Sequence, residues 1–245
     1  GAWPPGWDGE TGRDEFVQRL VDHVRKSVRE AKQETSWLRQ DDAYEAAVER
    51  CVRGAMAEPA VLAELRELDR LLAPHGALNG LAATALRLCS PGVADTYQGA
   101  ELWHQVLVDP DNRRSVDFAH RRELLDELDR RATAPLELLR ELLEHYQDGR
   151  VKLWLVASLL RLRAAHKDLF LRGDYVPLRA GEHAVAFART FGSKTLVCCV
   201  PRLAYALTRG EPRFPRGEDF GQQRVTLPVH GLHRDVLTGE RIDVR

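Results

Sequence analysis

A mostly helical α/β segment followed by a small all-β domain is the fold class that this sequence predicts, and three observations carry it. Apolar residues recur at helical spacing through most of the chain up to residue 166. One short β-permitting run interrupts them at residues 92–97, bounded by Pro91, Gly92 and Gly99. From residue 173 onward the hydrophobic period becomes that of strands, broken at Gly173, Gly181 and Gly192.

Taken in order, residues 1–12 are loop-like and carry no initiator Met, which fits a piece of a longer parent protein. Phe16, Leu20, Val24 and Val28, with Val17 and Val21, mark an amphipathic helix over 13–33, its remaining face basic with Arg13, Arg19, Arg25, Lys26 and Arg29. Asp41 or Asp42 is suited to cap the next helix, with Glu45 reaching back to complete a capping box, and that helix runs to about Met56. Pro59 opens a third through Leu62, Leu65, Leu68 and Leu72, which Pro74, His75 and Gly76 are expected to stop, and a fourth covers 77–88. Helices are predicted again over 117–131, 135–147 and 150–166, with Trp154 in an apolar setting that reads as core. Strands are predicted at 175–178, 183–188, 195–200, 224–227, 233–237 and 242–244, with a turn at Thr238, Gly239 and Glu240.

With 245 residues, 44% of them hydrophobic, the chain can bury a real core. Lys plus Arg total 36 against 37 for Asp plus Glu, so no electrostatic argument favours nucleic acid or an anionic membrane as a partner. The longest apolar block, 153–160, is far short of the roughly 20 residues that cross a bilayer, and the N-terminus lacks the basic start and apolar run of a signal peptide. Cys51, Cys89, Cys198 and Cys199 do not have the spacing of a zinc site, and the nine histidines are not paired at ligand spacing, so neither a metal nor another cofactor is implied. Cys51, Cys89 and Cys198 stand in apolar company and read as small core residues, and reduced cysteines fit a cytoplasmic protein.

The densest chemistry lies between residues 91 and 118. Tyr97 offers a ring face and a hydroxyl, and Gln98 and Asn112 each donate and accept, a combination suited to pairs of sugar hydroxyls. Glu101, Asp109 and Asp111 add acceptors, while Arg113 and Arg114 add donor forks that would touch sugar or lock the carboxylates. These eight residues are the candidate substrate-binding set. An equally economical reading makes Asp109, Asp111, Arg113 and Arg114 a salt-bridge and turn cluster that shapes the loop.

The runs 91–103 and 107–118 resemble the malto-oligosyltrehalose synthase family of the α-amylase superfamily. So do Arg29-Glu30-Ala31-Lys32, Thr35-Ser36-Trp37 and Tyr44-Glu45 upstream, and residues 148–155 and Gly173-Asp174-Tyr175 downstream. Ala94 and Ser115 stand where the family usually has proline, changes that relax the backbone without removing a functional group. The resemblance implies the C-terminal segment of a (β/α)8 barrel, mostly helical here and including its last strand, over 1–168, followed by a small antiparallel β-sandwich domain over 169–245.

The resemblance also implies a function. The family is a (1→4)-α-D-glucan 1-α-D-glucosylmutase, an isomerase of trehalose biosynthesis. It converts the reducing-end α-1,4 bond of a malto-oligosaccharide to an α,α-1,1 bond by intramolecular transglucosylation. Such retaining chemistry needs two carboxyl groups flanking the scissile bond. The superfamily's nucleophile, acid/base and His-Asp motifs are not in this sequence, so no catalytic residue is assigned. The chain alone is expected to be inactive, forming one wall of a saccharide pocket with the N-terminal catalytic part of the same enzyme as its partner. The alternatives are another α-amylase superfamily glucan transferase, or a non-catalytic carbohydrate-binding or scaffolding fragment.

Overall fold

The structure is a computed structural model that describes residues 2–4, 6–227 and 229–244. Gly1 and Pro5 of the predicted N-terminal loop lie outside the described residues. The chain divides into two units, one formed by Gly1–Leu71 with Gln105–Ser115 and the other by Leu72–His104 with Val116–Arg245.

In the first unit, α1 (Arg13–Ala31) buries Phe16, Val17 and Val21, the stripe that its helical spacing predicts. They pack with Met56 of α2 (Asp42–Ala57) and Leu62 of α3 (Pro59–Cys89). Trp3 and Trp7 lie against this cluster, the Trp7 ring centroid 4.9 Å from that of Phe16. Asp41 caps α2 as predicted, its carboxylate accepting the Tyr44 N–H at 2.9 Å. Glu45 does not complete the capping box. Its buried carboxylate accepts from Arg29 Nε at 2.9 Å and Nη2 at 2.6 Å and from Thr35 Oγ1 at 2.7 Å, while the Asp41 N–H donates to Thr35 Oγ1 at 3.1 Å. A forked guanidinium gives charge-assisted bonds that a single backbone N–H cannot match.

The predicted stop at Pro74 does not occur, and Pro59–Cys89 is one helix with Pro74 inside it. Proline in a helix interior costs about 3 kcal/mol. Both halves of α3 are held by packing that outweighs that cost, Leu62 and Leu65 in the first unit's core and Ala82, Leu88 and Cys89 in that of the second.

In the second unit, α4 (Phe118–Arg131) is capped by Asp117, which accepts the His120 N–H at 2.9 Å. With α5 (Pro135–Glu144) and α6 (Arg150–Ala165) it forms a core of Leu128, Leu138, Leu142, Val151, Leu153 and Trp154. The other face of α6, with Leu155, Val156 and Leu159, packs against the end of α3 and against the sheet residues Phe187, Cys198 and Val200. After α7 (Lys167–Arg172) come β1 (Asp174–Leu178), β2 (Ala184–Phe191) and β3 (Lys194–Pro201), an antiparallel sheet in that order with Val176 opposite Ala188 and Phe187 opposite Cys198. A Cβ at Gly173 would collide with the Leu169 carbonyl and lie 3.0 Å from that of Thr190, so only glycine fits this junction. A short helix, α8 (Ala204–Leu207), follows β3. A separate antiparallel pair, β4 (Gly231–Arg234) and β5 (Arg241–Val244), turns through Asp235, whose Oδ1 accepts the N–H groups of Leu237 and Thr238 at 2.8 Å each.

Three predictions need correction. Residues 92–97 pair with no strand among the described residues, and Val93 is 94% exposed, because a lone extended run has no edge here to complete its backbone bonds. The run 224–227 is likewise outside both sheets. Cys51 is exposed on α2, whereas Cys89 and Cys198 are buried as predicted. None of the described helices is long and apolar enough to cross a membrane.

The Arg29 guanidinium, with Thr35 and the charge of Arg25 adding to it, holds the Glu45 carboxyl down to about 2 from an ordinary 4.5. A folded-state pKa below the unfolded one gives stability that is complete above pH 4.5 and is lost as pH falls toward 2. Glu45→Gln is therefore expected to cost about 3 kcal/mol at neutral pH, as for breaking a buried pair, and to flatten the acid limb of a urea-unfolding stability profile in that window.

Candidate functional site

The eight candidate residues are divided between the two units. Tyr97, Gln98 and Glu101 belong to the second unit, and Asp109, Asp111, Asn112, Arg113 and Arg114 to the first.

In the second unit the approach to Tyr97 is braced from α3. Arg87 donates to the Asp95 carbonyl and, at 3.0 Å, to Thr96 Oγ1. Tyr97 is 47% exposed, and its ring lies stacked on His104 with centroids 6.2 Å apart and planes 18° apart. Gln98 is exposed beside it. Glu101 is held by Arg121 Nε at 3.2 Å, and the same guanidinium donates to the carbonyls of Gly99 at 3.1 Å and Asp117 at 3.0 Å. One arginine thereby holds the C-terminal side of the turn that presents Tyr97 and Gln98.

Trp103 anchors the same segment. Its Nε1 donates to the Tyr146 carbonyl at 2.5 Å, and Lys152 Nζ lies 5.5 Å from its ring centroid while donating to the Leu102 carbonyl at 3.2 Å. Burial, reinforced by the charge of Arg87 and opposed by that of Glu101, lowers the Lys152 pKa. Gly149 has φ 81°, and a Cβ there would stand 3.0 Å from the Trp103 backbone nitrogen and 3.2 Å from Leu102 Cβ.

In the first unit, residues 105–115 are fastened to α1. Asp111 is the centre, with Oδ1 and Oδ2 each accepting from Arg19 at 2.8 Å, through Nε and Nη2 respectively, and Oδ2 accepting the Leu107 N–H at 2.7 Å. Arg19 also donates to the Gln105 carbonyl at 2.7 Å, and Lys26 donates to the Asp109 carbonyl at 2.6 Å. The Arg19 fork, then the Leu107 N–H and the charges of Arg19 and Arg114, hold the Asp111 carboxyl below its ordinary range against the opposing effect of burial. The Asp111–Arg113 turn that follows is a single 3₁₀ turn. Arg113 pairs with Asp109 and Arg114 with Glu15, both arginines exposed, and Asn112 Oδ1 is buried with no hydrogen-bond partner among the described residues.

The arrangement can therefore present exposed donors and one aromatic face on fixed backbone. Sequence reasoning missed the residues that do the fixing. Arg19 and Lys26 read as the solvent face of an amphipathic helix, yet both turn to loop acceptors, and nothing local marks Arg87, Arg121 or Lys152 for their long-range partners. Trp103 stood inside the informative motif but was assigned no role.

The described residues are mostly helical, with small antiparallel sheets in the last third of the chain. The chain matches a C-terminal part of proteins named maltooligosyl trehalose synthase. No family model matches the chain. It is 35% identical over 244 residues to a "Putative maltooligosyl trehalose synthase" of Mycobacterium tuberculosis, a match that covers 98% of this chain and 27% of the relative. The chain thus spans about a quarter of the length of the curated relatives it matches. The maltooligosyltrehalose synthase of Arthrobacter ramosus is 35% identical with a TM-score of 0.75, covering 93% of this chain and 28% of that one. A hypothetical maltooligosyl trehalose synthase of Sulfolobus tokodaii is 26% identical with a TM-score of 0.67, covering 94% of this chain and 27% of its own.

Two substitutions test the frame. Asp111→Asn should cost about 1–3 kcal/mol, since it leaves the Arg19 fork without its carboxylate; thermal unfolding measures the loss, and hydrogen exchange at the Leu107 amide should accelerate. Gly149→Ala combines a left-handed backbone with a crowded Cβ and should cost at least about 1 kcal/mol, read as a lowered Tm together with a red-shifted Trp emission as Trp103 loosens.

Proposed function

We propose that this chain supplies substrate-binding residues to an isomerase that converts the reducing-end α-1,4 bond of a malto-oligosaccharide to an α,α-1,1 bond, leaving a terminal trehalose unit. The observation that carries the reading is its agreement, along nearly its whole length, with proteins bearing the synthase's name. The reaction breaks one glycosidic bond and forms another within the same molecule, so the released glucose must be held, turned and kept from water. In retaining chemistry one carboxylate attacks the anomeric carbon while a second carboxyl protonates the leaving oxygen. In this proposal both belong to the part of the enzyme that precedes the chain, and the chain by itself binds sugar without turning it over.

The eight candidates divide by what their bonds leave free. Tyr97 offers an exposed ring to the apolar face of a pyranose, and Gln98 offers an amide to adjacent hydroxyls. Glu101 keeps acceptor capacity beside its bond to Arg121, and Asn112 Oδ1 has an unused acceptor. Arg113 and Arg114 are exposed donor forks, each with capacity beyond its one ion pair. Asp111 has spent its carboxylate on Arg19 and Leu107 and acts by holding the loop, and Asp109 acts through Arg113.

The finer architecture belongs to the same proposal. The likeness to solved synthases along most of the chain is what supports residues 1–168 as the end of a (β/α)8 barrel. Residues 169–245 then form the appended antiparallel β-sandwich. The cytoplasm is the proposed compartment.

Arg113→Ala in the complete enzyme is the test. Turnover should fall by about tenfold or more, as expected for lost positioning, with product shifting from trehalose-terminated oligosaccharide toward free glucose. Unchanged turnover and product ratio would remove Arg113 from the site, and disproportionated glucans in place of trehalose-terminated product from the unaltered enzyme would point to a glucan transferase.

A further inference from the structure

The core of the second unit holds a group of charges that the sugar-binding proposal does not use. Arg189, on β2, is 1% exposed. Its Nε donates to the Asp174 carbonyl at 3.2 Å and its Nη2 to the carbonyls of Phe170 at 3.1 Å and Gly173 at 2.7 Å, while Nη1 has no hydrogen-bond partner among the described residues. Arg163, on α6, donates to the carbonyls of Leu88 at 2.7 Å and Gly92 at 2.9 Å and lies 4.7 Å from the Phe170 ring centroid. Neither guanidinium is ion-paired with a carboxylate among the described residues. Burying a cation without a counter-charge is costly, so an anion nearby would be strongly favoured.

Besides the Asp174 carboxylate, whose charge reaches Arg189, a thiol lies within reach of both guanidiniums. Cys89, the last residue of α3 and 3% exposed, packs in the same buried cluster as Cys198 and feels the positive charges of both Arg163 and Arg189. Cys198, on β3 and 6% exposed, points inward, while its neighbour Cys199 points to the opposite face as strand alternation requires. Asp174 is the carboxylate whose charge reaches Arg189, and Cys199 is the further thiol whose charge reaches Cys198. The Cys198 hydrogen bond, with the two guanidiniums behind it, lowers the Cys89 pKa against the opposing effect of burial, whereas Cys198 is pushed up and keeps its proton as the donor. Both thiols line a cavity of about 920 Å³ together with Leu155, Leu159 and Val200, space enough for a small oxidant to reach them.

We propose that Cys89 and Cys198 are a peroxide-reactive thiol pair that closes to a disulfide. In the first step the Cys89 thiolate attacks hydrogen peroxide; a sulfur–oxygen bond forms, the oxygen–oxygen bond breaks and hydroxide leaves, taking a proton to become water. In the second, Cys198 loses its proton and attacks the Cys89 sulfenic acid; the sulfur–sulfur bond forms and the hydroxyl leaves as a second water. Two thiols are oxidised by two electrons and one peroxide is reduced, so the balance closes. The bond would tie the end of α3 to β3 and fix the start of the segment that leads to Tyr97.

The full chain is treated with equimolar hydrogen peroxide at neutral pH, denatured, alkylated and weighed. The expected product has lost a pair of hydrogens, carries alkyl groups on Cys51 and Cys199 only, yields a crosslinked peptide joining Cys89 to Cys198, and reverts with dithiothreitol. Cys89 should oxidise before exposed Cys51. Cys198→Ser should stop at a dimedone-reactive sulfenic acid on Cys89. Alkylation of all four cysteines, or oxidation of Cys51 or Cys199 ahead of Cys89, overturns the proposal, and because both are read on the unsubstituted chain they do not depend on the variant folding.

Discussion

The carboxylate of Asp111 is the constraint on which the first unit's loop depends. A loop of eleven residues, Gln105–Ser115, has little apolar surface with which to hold itself in place, and without an anchor its ordering entropy would dominate. Asp111 supplies the anchor by taking a two-pronged bond from Arg19 and the Leu107 N–H at once. The ends of the interaction are 92 residues apart in sequence, so one ion pair fixes the register of the loop against α1. Lys26 follows along the same helix to the Asp109 carbonyl, and the outward placing of Arg113 and Arg114 is the consequence. Two exposed arginines, each paired with one carboxylate, are presented on a fixed frame.

The same economy recurs in the second unit, where several cations are spent on backbone carbonyls. Arg87, Arg121, Lys152, Arg163 and Arg189 all donate to main-chain oxygens of irregular segments. Each such bond satisfies an acceptor that no ladder or helix reaches, which is the problem that long connections pose. For residues 92–104 the solution is nearly all side chain to backbone, and the turn holding Tyr97 and Gln98 is set by groups from α3, α4 and α6 together.

What could be read in the sequence was what depends on nearby residues. Asp41 as a cap, Pro59 as a helix start, the stripe of Phe16, Val17 and Val21 and the inward Cys198 all follow from spacing and short-range chemistry, and the structure bears them out. Where reading failed, a distant partner decided the outcome. Pro74 was overruled by packing on both halves of α3, Glu45 was drawn from its own cap by Arg29, and residues 92–97 lacked a neighbour to make them a strand. For the candidate site, residue types and the segment were legible, but the division between the two units was not, because nothing within residues 97–114 marks Arg19 as the partner of Asp111.

That division bears on how the proposed sugar contacts would work. Three of the eight candidates stand on a frame braced by Arg87 and Arg121, the other five on a frame braced by Arg19 and Lys26, and the two frames share no bracing group. A substitution that loosens one leaves the other's hydrogen bonds intact, so losses from the two sets should combine additively in free energy unless a common ligand couples them.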